Sequence, residues 1–353
     1  MDMDDKFILK NKRTIWDNEE SCKLAVHNNY NLLKYVRNQT DEICKLAILN
    51  NYKALEYVKE QTDEICKLAI EYNYKALGYV KDQNYEICKF AIQCDYNALE
   101  YVKAQTEEIC KFAIRKYGCT LQYVQPELMT EEICKLAVQQ NGWALQYVPP
   151  ELMNDEICKL ACIQDGYALR YVKKELMTEE ICKLAVQQNS DILKYIKNQS
   201  KEICKLAVQQ DYNALKYVKV QSKEICKIAI QKNYDALQYI KIQPKETCKL
   251  AVRLNGDALK YVKEQNDEIC KLAVSNNGDA LKYVKKQTFE ICELAVNQNG
   301  NSLKYVKSEL MTDEICKLAV KQNGNALHYV KPELMNDEIC KLAVKKMVWD
   351  LNI

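Results

Sequence analysis

Glu132-Ile133-Cys134-Lys135-Leu136-Ala137-Val138-Gln139-Gln140-Asn141-Gly142-Trp143-Ala144-Leu145-Gln146-Tyr147-Val148-Pro149-Pro150-Glu151-Leu152-Met153 is one copy of a phrase that the 353-residue chain repeats along its length. Aligned on Cys134, the copies fall at Cys22, Cys44, Cys66, Cys88, Cys110, Cys134, Cys158, Cys182, Cys204, Cys226, Cys248, Cys270, Cys292, Cys316 and Cys340, in steps of 22 or 24 residues. A period of that size marks a repeat architecture, in which no unit buries its apolar face alone and neighbours stack into a shared core. A length that would otherwise suggest two or three ordinary domains therefore reads as one array.

Nearly every copy begins with Thr, Ser or Asn, as at Thr40, Ser200 and Asn154, mostly followed by charged residues and then an apolar run. This is an N-cap with first-turn carboxylates favoured by the helix dipole. At about 100° per residue, Ile43, Cys44, Leu46, Ala47 and Ile48 cover an arc of roughly 200°, so the helix has neighbours on several sides. Asn51, Asn73, Asp95, Asn141, Asn233 and Asn323 stand where this helix ends, and we expect them in the left-handed conformation that closes helices. The following residue is Gly or Tyr, so glycine there reads as permitted and not required. Second N-caps are expected at Asp191, Asn213, Asp235, Asp257 and Asn325, opening a shorter helix with the core Ala-Leu-x-Tyr-Val. Two linker forms follow, a tight one such as Lys59-Glu60-Gln61-Thr62 and a longer one such as Gln125-Pro126-Glu127-Leu128-Met129-Thr130.

The expected fold is all-α, an α/α solenoid or superhelix of about fifteen two-helix repeats. Its expected divisions are an N-terminal cap with a degenerate half-repeat over residues 1–21, one continuous solenoid over 22–344, and a C-terminal cap over 345–353. Trp16 and the final Lys-Met-Val-Trp run supply the atypical ends that repeat arrays carry. Hydrophobic residues make up 48% of the chain, enough to build a core, yet no run reaches the roughly 18 apolar residues of a membrane helix. The opening Met1-Asp2-Met3-Asp4-Asp5-Lys6 is acidic and lacks the pattern of a secretory signal, so an intracellular protein with reduced thiols is expected. Heavy use of Lys, Asn, Ile and Tyr beside 8 Gly and 5 Pro suggests AT-rich codons.

The 24-residue copies, with Ala137-Val138-Gln139-Gln140-Asn141-Gly142-Trp143-Ala144-Leu145-Gln146-Tyr147 followed by Pro150-Glu151-Leu152, resemble a domain-of-unknown-function repeat of mimivirus-type giant viruses that also occurs in some bacteria and protists. The resemblance implies a helical repeat architecture, a viral source and a place in the host cytoplasm or viral factory. It implies no particular chemistry.

The eighteen cysteines could in principle bind metal, form disulfides or sense redox state. Equivalent residues of adjacent layers should lie about 9 to 10 Å apart, too far for a disulfide or for shared zinc ligation, and no Cys-x-x-Cys occurs. Cysteine is a small hydrophobe when buried, and the ladder reads as core. Cys94, Cys119 and Cys162 depart from the ladder, and Cys158 and Cys162 share a helix without an evident partner. The tyrosine ladder, including Tyr35, Tyr57, Tyr79, Tyr101, Tyr147, Tyr195, Tyr217, Tyr261 and Tyr305, could stack nucleic-acid bases but lies on the apolar arc of the short helix, and it reads as packing. Gln61, Gln83, Gln105, Gln199, Gln221, Gln265 and Gln287 recur in the tight linkers, where side-chain amides can satisfy turn backbone groups. His27 and His328 are isolated, no Gly-rich phosphate loop occurs, and no nucleophile sits in a recognised setting, so no catalytic residue, metal site, cofactor or small-molecule substrate is expected.

Residues 1–189 carry 24 basic and 29 acidic side chains, whereas residues 190–345 carry 26 and 19. In the positive part, Lys194 and Lys197, Lys216 and Lys219, Lys260 and Lys263, Lys282 and Lys285, and Lys304 and Lys307 stand three apart, on one helix face, and could form a basic stripe for phosphates or an acidic protein. The ends of the long helices vary while the core barely changes, at His27, Asn28, Leu49, Asn50, Glu71, Tyr72, Arg115, Lys116, Gln231, Lys232, Arg253 and Leu254. Variation within one sequence locates exposed surface. The expected function is a non-catalytic scaffold for protein partners with no membrane contact; RNA or DNA binding through the lysine stripe and a structural role in a virion are the alternatives.

Overall fold

The computed structural model describes Trp16 and residues 18–351, so the expected N-terminal cap lies outside the described residues except for Trp16 and residues 18–21. Among those residues there are fifteen α-helices and no strand. The fold is an α-solenoid of tandem two-helix repeats. A ten-residue α-helix, such as Asp41–Asn50, is followed by a six-residue 3-10 helix, such as Tyr52–Tyr57, and then by a linker. The chain divides into two compact units, residues 1–188 and residues 189–353. The first holds eight of the α-helices, from Glu19–Asn28 to Glu179–Gln188, and the second holds seven, from Lys201–Gln210 to Asp337–Leu351.

Within a repeat the burial follows from two different periods. In the α-helix, Ile43, Cys44, Ala47 and Ile48 are 0–1% exposed, as the 100° spacing requires. The shorter helix is 3-10, with Ala54 N–H donating to Asn51 O at 2.9 Å and Val58 N–H to Leu55 O at 3.2 Å. Three residues per turn eclipse positions i and i+3. Lys53 and Glu56 therefore share an exposed edge while Leu55 and Val58 share a buried one.

The junction between the two helices corrects two sequence expectations. No described residue has a positive φ. Asn51 (φ −157°), Asn73 (−160°), Asp95 (−152°), Asn141 (−152°), Asn233 (−159°) and Asn323 (−142°) are extended, not left-handed. The cause is the side chain. Asn51 N–H closes the α-helix on Ala47 O at 3.0 Å, while Asn51 Oδ1 accepts Lys53 N–H at 3.0 Å and opens the 3-10 helix. One residue thus caps both helices and no linker residue separates them. The second N-caps expected at Asp191, Asn213, Asp235, Asp257 and Asn325 accordingly move back two residues, to Asn189, Asp211, Asn233, Asn255 and Asn323.

Glycine after that Asn is also more constrained than expected, though not by its φ. A Cβ on Gly142 would sit 2.6 Å from Ala161 O, and one on Gly256 would sit 2.4 Å from Ala273 O, both in the next long helix. The glycine lets two repeats approach closely, and its N–H is then taken by the far helix: Gly142 N–H donates to Gln164 Oε1 at 2.8 Å and Gly300 N–H to Gln322 Oε1 at 2.6 Å. Units with tyrosine at this position pack differently. The rings of Tyr52 and Tyr74 lean on Tyr79 and Tyr101 of the next unit at centroid distances of 6.2 and 5.9 Å. Every 24-residue step follows a glycine unit, as at Gly118, Gly142, Gly166, Gly300 and Gly324.

At one end Trp16, 9% exposed, packs on Tyr35 at 6.1 Å. At the other the last helix runs fifteen residues instead of ten, and Met347 closes over Gly324. Val344, Val348 and Trp349 on that helix are 56%, 50% and 67% exposed.

Candidate interaction surface

The surface is easiest to assign after the side chains that hold the stack are removed from it. The linker glutamines are the first of these. Gln61 Nε2 donates to Leu55 O of its own unit at 2.7 Å and to Tyr79 O of the next at 3.0 Å, while its Oε1 accepts Lys81 N–H at 2.7 Å. One amide side chain therefore satisfies three backbone groups across two repeats. Gln83, Gln105, Gln199, Gln221 and Gln265 make the same set of contacts, and Gln287 bonds Tyr305 O and Lys307 N–H. Sequence reasoning passed over Gln39 and Gln243, which act identically and stand at the same offset from their cysteines.

The second set is an ionic ladder on the long helices. Lys135 bridges Glu131 of its own helix at 2.9 Å and Glu156 of the next at 2.7 Å, and Lys111, Lys159 and Lys317 repeat the pattern. These carboxylates, Glu156 before Glu131, raise the Lys135 pKa. Lys245 and Lys249 together hold Glu268 down at about 2. Where the next unit carries phenylalanine, Lys67 and Lys89 instead lie 5.8 and 5.6 Å from the ring centroids of Phe90 and Phe112.

The cysteines belong to the core. All eighteen are free thiols, fifteen of them buried, with Cys94 exposed and Cys119 and Cys340 half-buried. Burial pushes Cys44, Cys66, Cys110, Cys134 and Cys292 up to about 11 and Cys162 up to about 12, far from the low values that activate a thiolate. No group of three or more His, Cys, Asp and Glu side chains is placed to hold a metal among the described residues. His27 and His328 are both exposed and belong to different units.

The lysine pairs divide by role. Both members of each pair are exposed. In four of the five pairs the second reaches back to backbone carbonyls of the preceding repeat: Lys219 Nζ donates to Lys197 O at 2.7 Å, Lys263 Nζ to Lys241 O at 2.8 Å, Lys285 Nζ to Lys263 O at 2.9 Å and Lys307 Nζ to Lys285 O at 3.5 Å. Lys59 and Lys81 do the same in the acidic first unit, so this role is structural and independent of net charge. The first member lies over tyrosine: Lys216, Lys260, Lys282 and Lys304 are 4.6 to 4.8 Å from the centroids of Tyr217, Tyr261, Tyr283 and Tyr305, and Lys194 is 5.0 Å from Tyr195. The first members stay exposed, although Lys260 and Lys304 also approach Asp235 and Asp279 at 3.6 and 4.0 Å. The rings of Tyr195, Tyr217, Tyr261, Tyr283 and Tyr305 are thus covered by an ammonium, which leaves their faces less open to a base than the ladder suggests.

The variable ends of the long helices lie on the surface. His27, Asn28, Leu49, Asn50, Glu71, Tyr72, Arg115, Lys116, Gln231, Lys232, Arg253 and Leu254 are all exposed, and Leu49, Tyr72 and Leu254 remain 51%, 55% and 51% accessible. Ile163, which occupies the same position as Leu49, is 47% exposed. The set is not purely a free surface, because Asn50 Nδ2 donates to His27 O at 2.6 Å and so ties one repeat to the last.

Two further features escaped the sequence reading. The first turn of the long helix carries lysine in three consecutive repeats, at Lys201, Lys223 and Lys245, where most others carry Asp or Glu. Val220 and Ile242, in the linkers between those helices, are 82% and 83% exposed. Both were visible as departures from the repeat consensus, but the overall charge count averaged them away.

A model of the family described as Domain of unknown function (DUF4116) matches this chain in nine overlapping windows from residues 106–153 to 312–352, each spanning two successive repeats. No curated protein matches the chain. The windows coincide with the geometry above, each joining two long helices through one short helix and its linker. The chain therefore belongs to the family of proteins built from the domain of unknown function DUF4116.

Proposed function

We propose that this protein is a non-catalytic scaffold that binds protein partners through the exposed ends of its long helices. The observation that carries the reading is the contrast between an almost invariant core and twelve variable, exposed positions, which include the apolar side chains of Leu49, Tyr72 and Leu254. Apolar side chains held on rigid, regularly spaced helices are the anchors that interfaces use. Affinity capture on the full chain at near-physiological salt, read by mass spectrometry, should recover a saturable protein partner. Its capture should fall at least tenfold with Leu49→Asp, Tyr72→Asp and Leu254→Asp combined. Recovery of no saturable partner would refute the reading.

The net positive charge of residues 190–345 favours a second reading, contact with a polyanion through Lys194, Lys216, Lys260, Lys282 and Lys304. Lys219, Lys263, Lys285 and Lys307 contribute less to it, since each is engaged with a backbone carbonyl of the preceding repeat. RNA binding by the full chain should weaken steeply with salt and disappear when the five outer lysines become Glu. Unchanged binding in that variant excludes this reading.

A further inference from the structure

We propose that the edge formed by linkers and first helical turns over residues 197–246 is a docking strip for an acidic peptide segment of a partner protein, one whose carboxylates are interspersed with apolar side chains. The inference rests on the scaffold reading and names the chemistry of one partner.

The first observation is a choice of residue that works against the helix. In Glu107–Lys116, Glu131–Gln140, Asp155–Gln164 and Asp313–Gln322 the first residue is acidic, suits the helix dipole and bridges the lysine four residues on. Lys201 and Lys223 stand in that place before Lys205 and Lys227, so attraction along the helix becomes repulsion. Both are exposed and, among the described residues, have no carboxylate within ion-pair distance. Lys245, the third, reaches Glu268 at 2.7 Å. A sequence that forgoes a local benefit in successive repeats is using the charge elsewhere.

The second observation is apolar. The residue before the linker glutamine is Asn38, Glu60, Asp82, Ala104, Asn198, Glu264 or Lys286 in other tight linkers, but Val220 and Ile242 in these two. Both are more than four-fifths exposed. Between successive linkers a cleft of about 190 Å³ is lined by Lys197, Gln199, Lys201, Lys219, Val220 and Ser222 among others. Lys201 and Val220 line this cleft, and Lys223 and Ile242 hold the equivalent positions one repeat on.

A nucleic acid would satisfy the cations and leave Val220 and Ile242 in water. An anionic membrane surface would take both, and vesicles therefore form a competing arm of the test. An extended peptide advances about 3.3 Å per residue, so about three residues span one repeat of roughly 9 to 10 Å. One carboxylate and one apolar side chain per three residues match the strip.

The test uses the full chain and a fluorescein-labelled peptide of five Glu-Leu-Ser repeats, with five Glu-Ser-Ser repeats as the equal-charge control. The first peptide should bind at least tenfold tighter than the control. Its affinity should fall at least tenfold in Lys201→Asp/Lys223→Asp and in Val220→Ser/Ile242→Ser. The aspartate variant restores the residue type of most other repeats, so its melting temperature should match or exceed that of the parent and lost binding cannot be ascribed to unfolding. The proposal is overturned if either double variant binds the peptide as the parent does, or if the control peptide binds equally well. It is overturned too if phosphatidylserine vesicles or oligothymidylate bind more tightly than the peptide and lose binding with the same variants. A chain that captures partners through Leu49, Tyr72 and Leu254 yet ignores the peptide loses the strip and keeps the scaffold. A chain that captures no partner loses the scaffold itself.

Discussion

Among single residues, the linker glutamine makes three side-chain hydrogen bonds at the junction of two tight repeats. Replacing Gln61 with Ala would leave Leu55 O with only its Val58 N–H contact and would take from the part-buried Tyr79 O and the more exposed Lys81 N–H the partner that ties the two repeats. Unpaired buried polar groups cost about 1 to 3 kcal/mol, so a loss of about 2 kcal/mol in urea-monitored stability is expected. Gln61→Glu should be as damaging, since a carboxylate cannot donate to the two carbonyls. Gly142 is sensitive for a different reason. Its Cβ would meet Ala161 O at 2.6 Å, a backbone atom that cannot swing away, so Gly142→Ala should destabilise by about 1 to 3 kcal/mol despite an ordinary φ. Thermal melts of the three variants decide whether staple and close approach contribute as described. The recurrence of glutamine was legible from sequence; its three partners were not, because they lie six, eighteen and twenty residues away.

The fold was legible at the level of the element because a period of 22 or 24 residues needs no propensity argument, and the buried face of the long helix follows directly from its spacing. The short helix was harder. Two turns of Ala-Leu-x-Tyr-Val fit 100° and 120° per residue equally well, so neither periodicity nor composition separates α from 3-10 over six residues. The shared cap was missed because Asn is at home both in a left-handed helix stop and in an Asx turn. Substitution at Asn51 separates the two. With Asn51 at φ −157° and Oδ1 on Lys53 N–H, Asn51→Ala should cost about 1 kcal/mol and Asn51→Gly a few tenths. A left-handed Asn51 would instead be stabilised by glycine, so the sign of the glycine variant in a denaturant titration is decisive. The candidate surface was legible in part: the exposed helix ends emerged from variation between repeats, whereas the split of each lysine pair required knowing that the second lysine lies beyond the cap of the 3-10 helix, as Lys219 follows Val218.

In a molecule built of near-identical units, a modest effect in one repeat is multiplied by their number. The buried thiols offer the clearest case. Fifteen cysteines are buried, and burial raises those of most repeats from an ordinary value near 9 to about 11. In the unfolded chain the same thiols ionise near 9. Between those values the folded state therefore holds more protons than the unfolded state, and stability falls as pH rises. The contribution is fully present below pH 9 and is lost on the way to 11. Each thiol whose pKa stands higher in the folded chain than in the unfolded one adds to this slope in the same direction, so the effect accumulates along the array. The melting temperature should be nearly flat from about pH 6 to 8.5 and then fall as the pH rises towards about 11. The lysines of the ionic ladder, whose pKa values are raised by their carboxylates, act in the same direction at the upper end of this window. Substituting Cys44, Cys66 and Cys134 with Ala removes three of the fifteen buried thiols, so the melting temperature should fall at pH 7 through lost packing while its slope above pH 9 flattens by up to about a fifth. A slope unaffected by these substitutions would mean that the thiols do not govern the alkaline transition. Native alkylation gives an independent check at the same scale: Cys94, the one exposed thiol, should react first at pH 8, and the fifteen buried ones only as the stack opens.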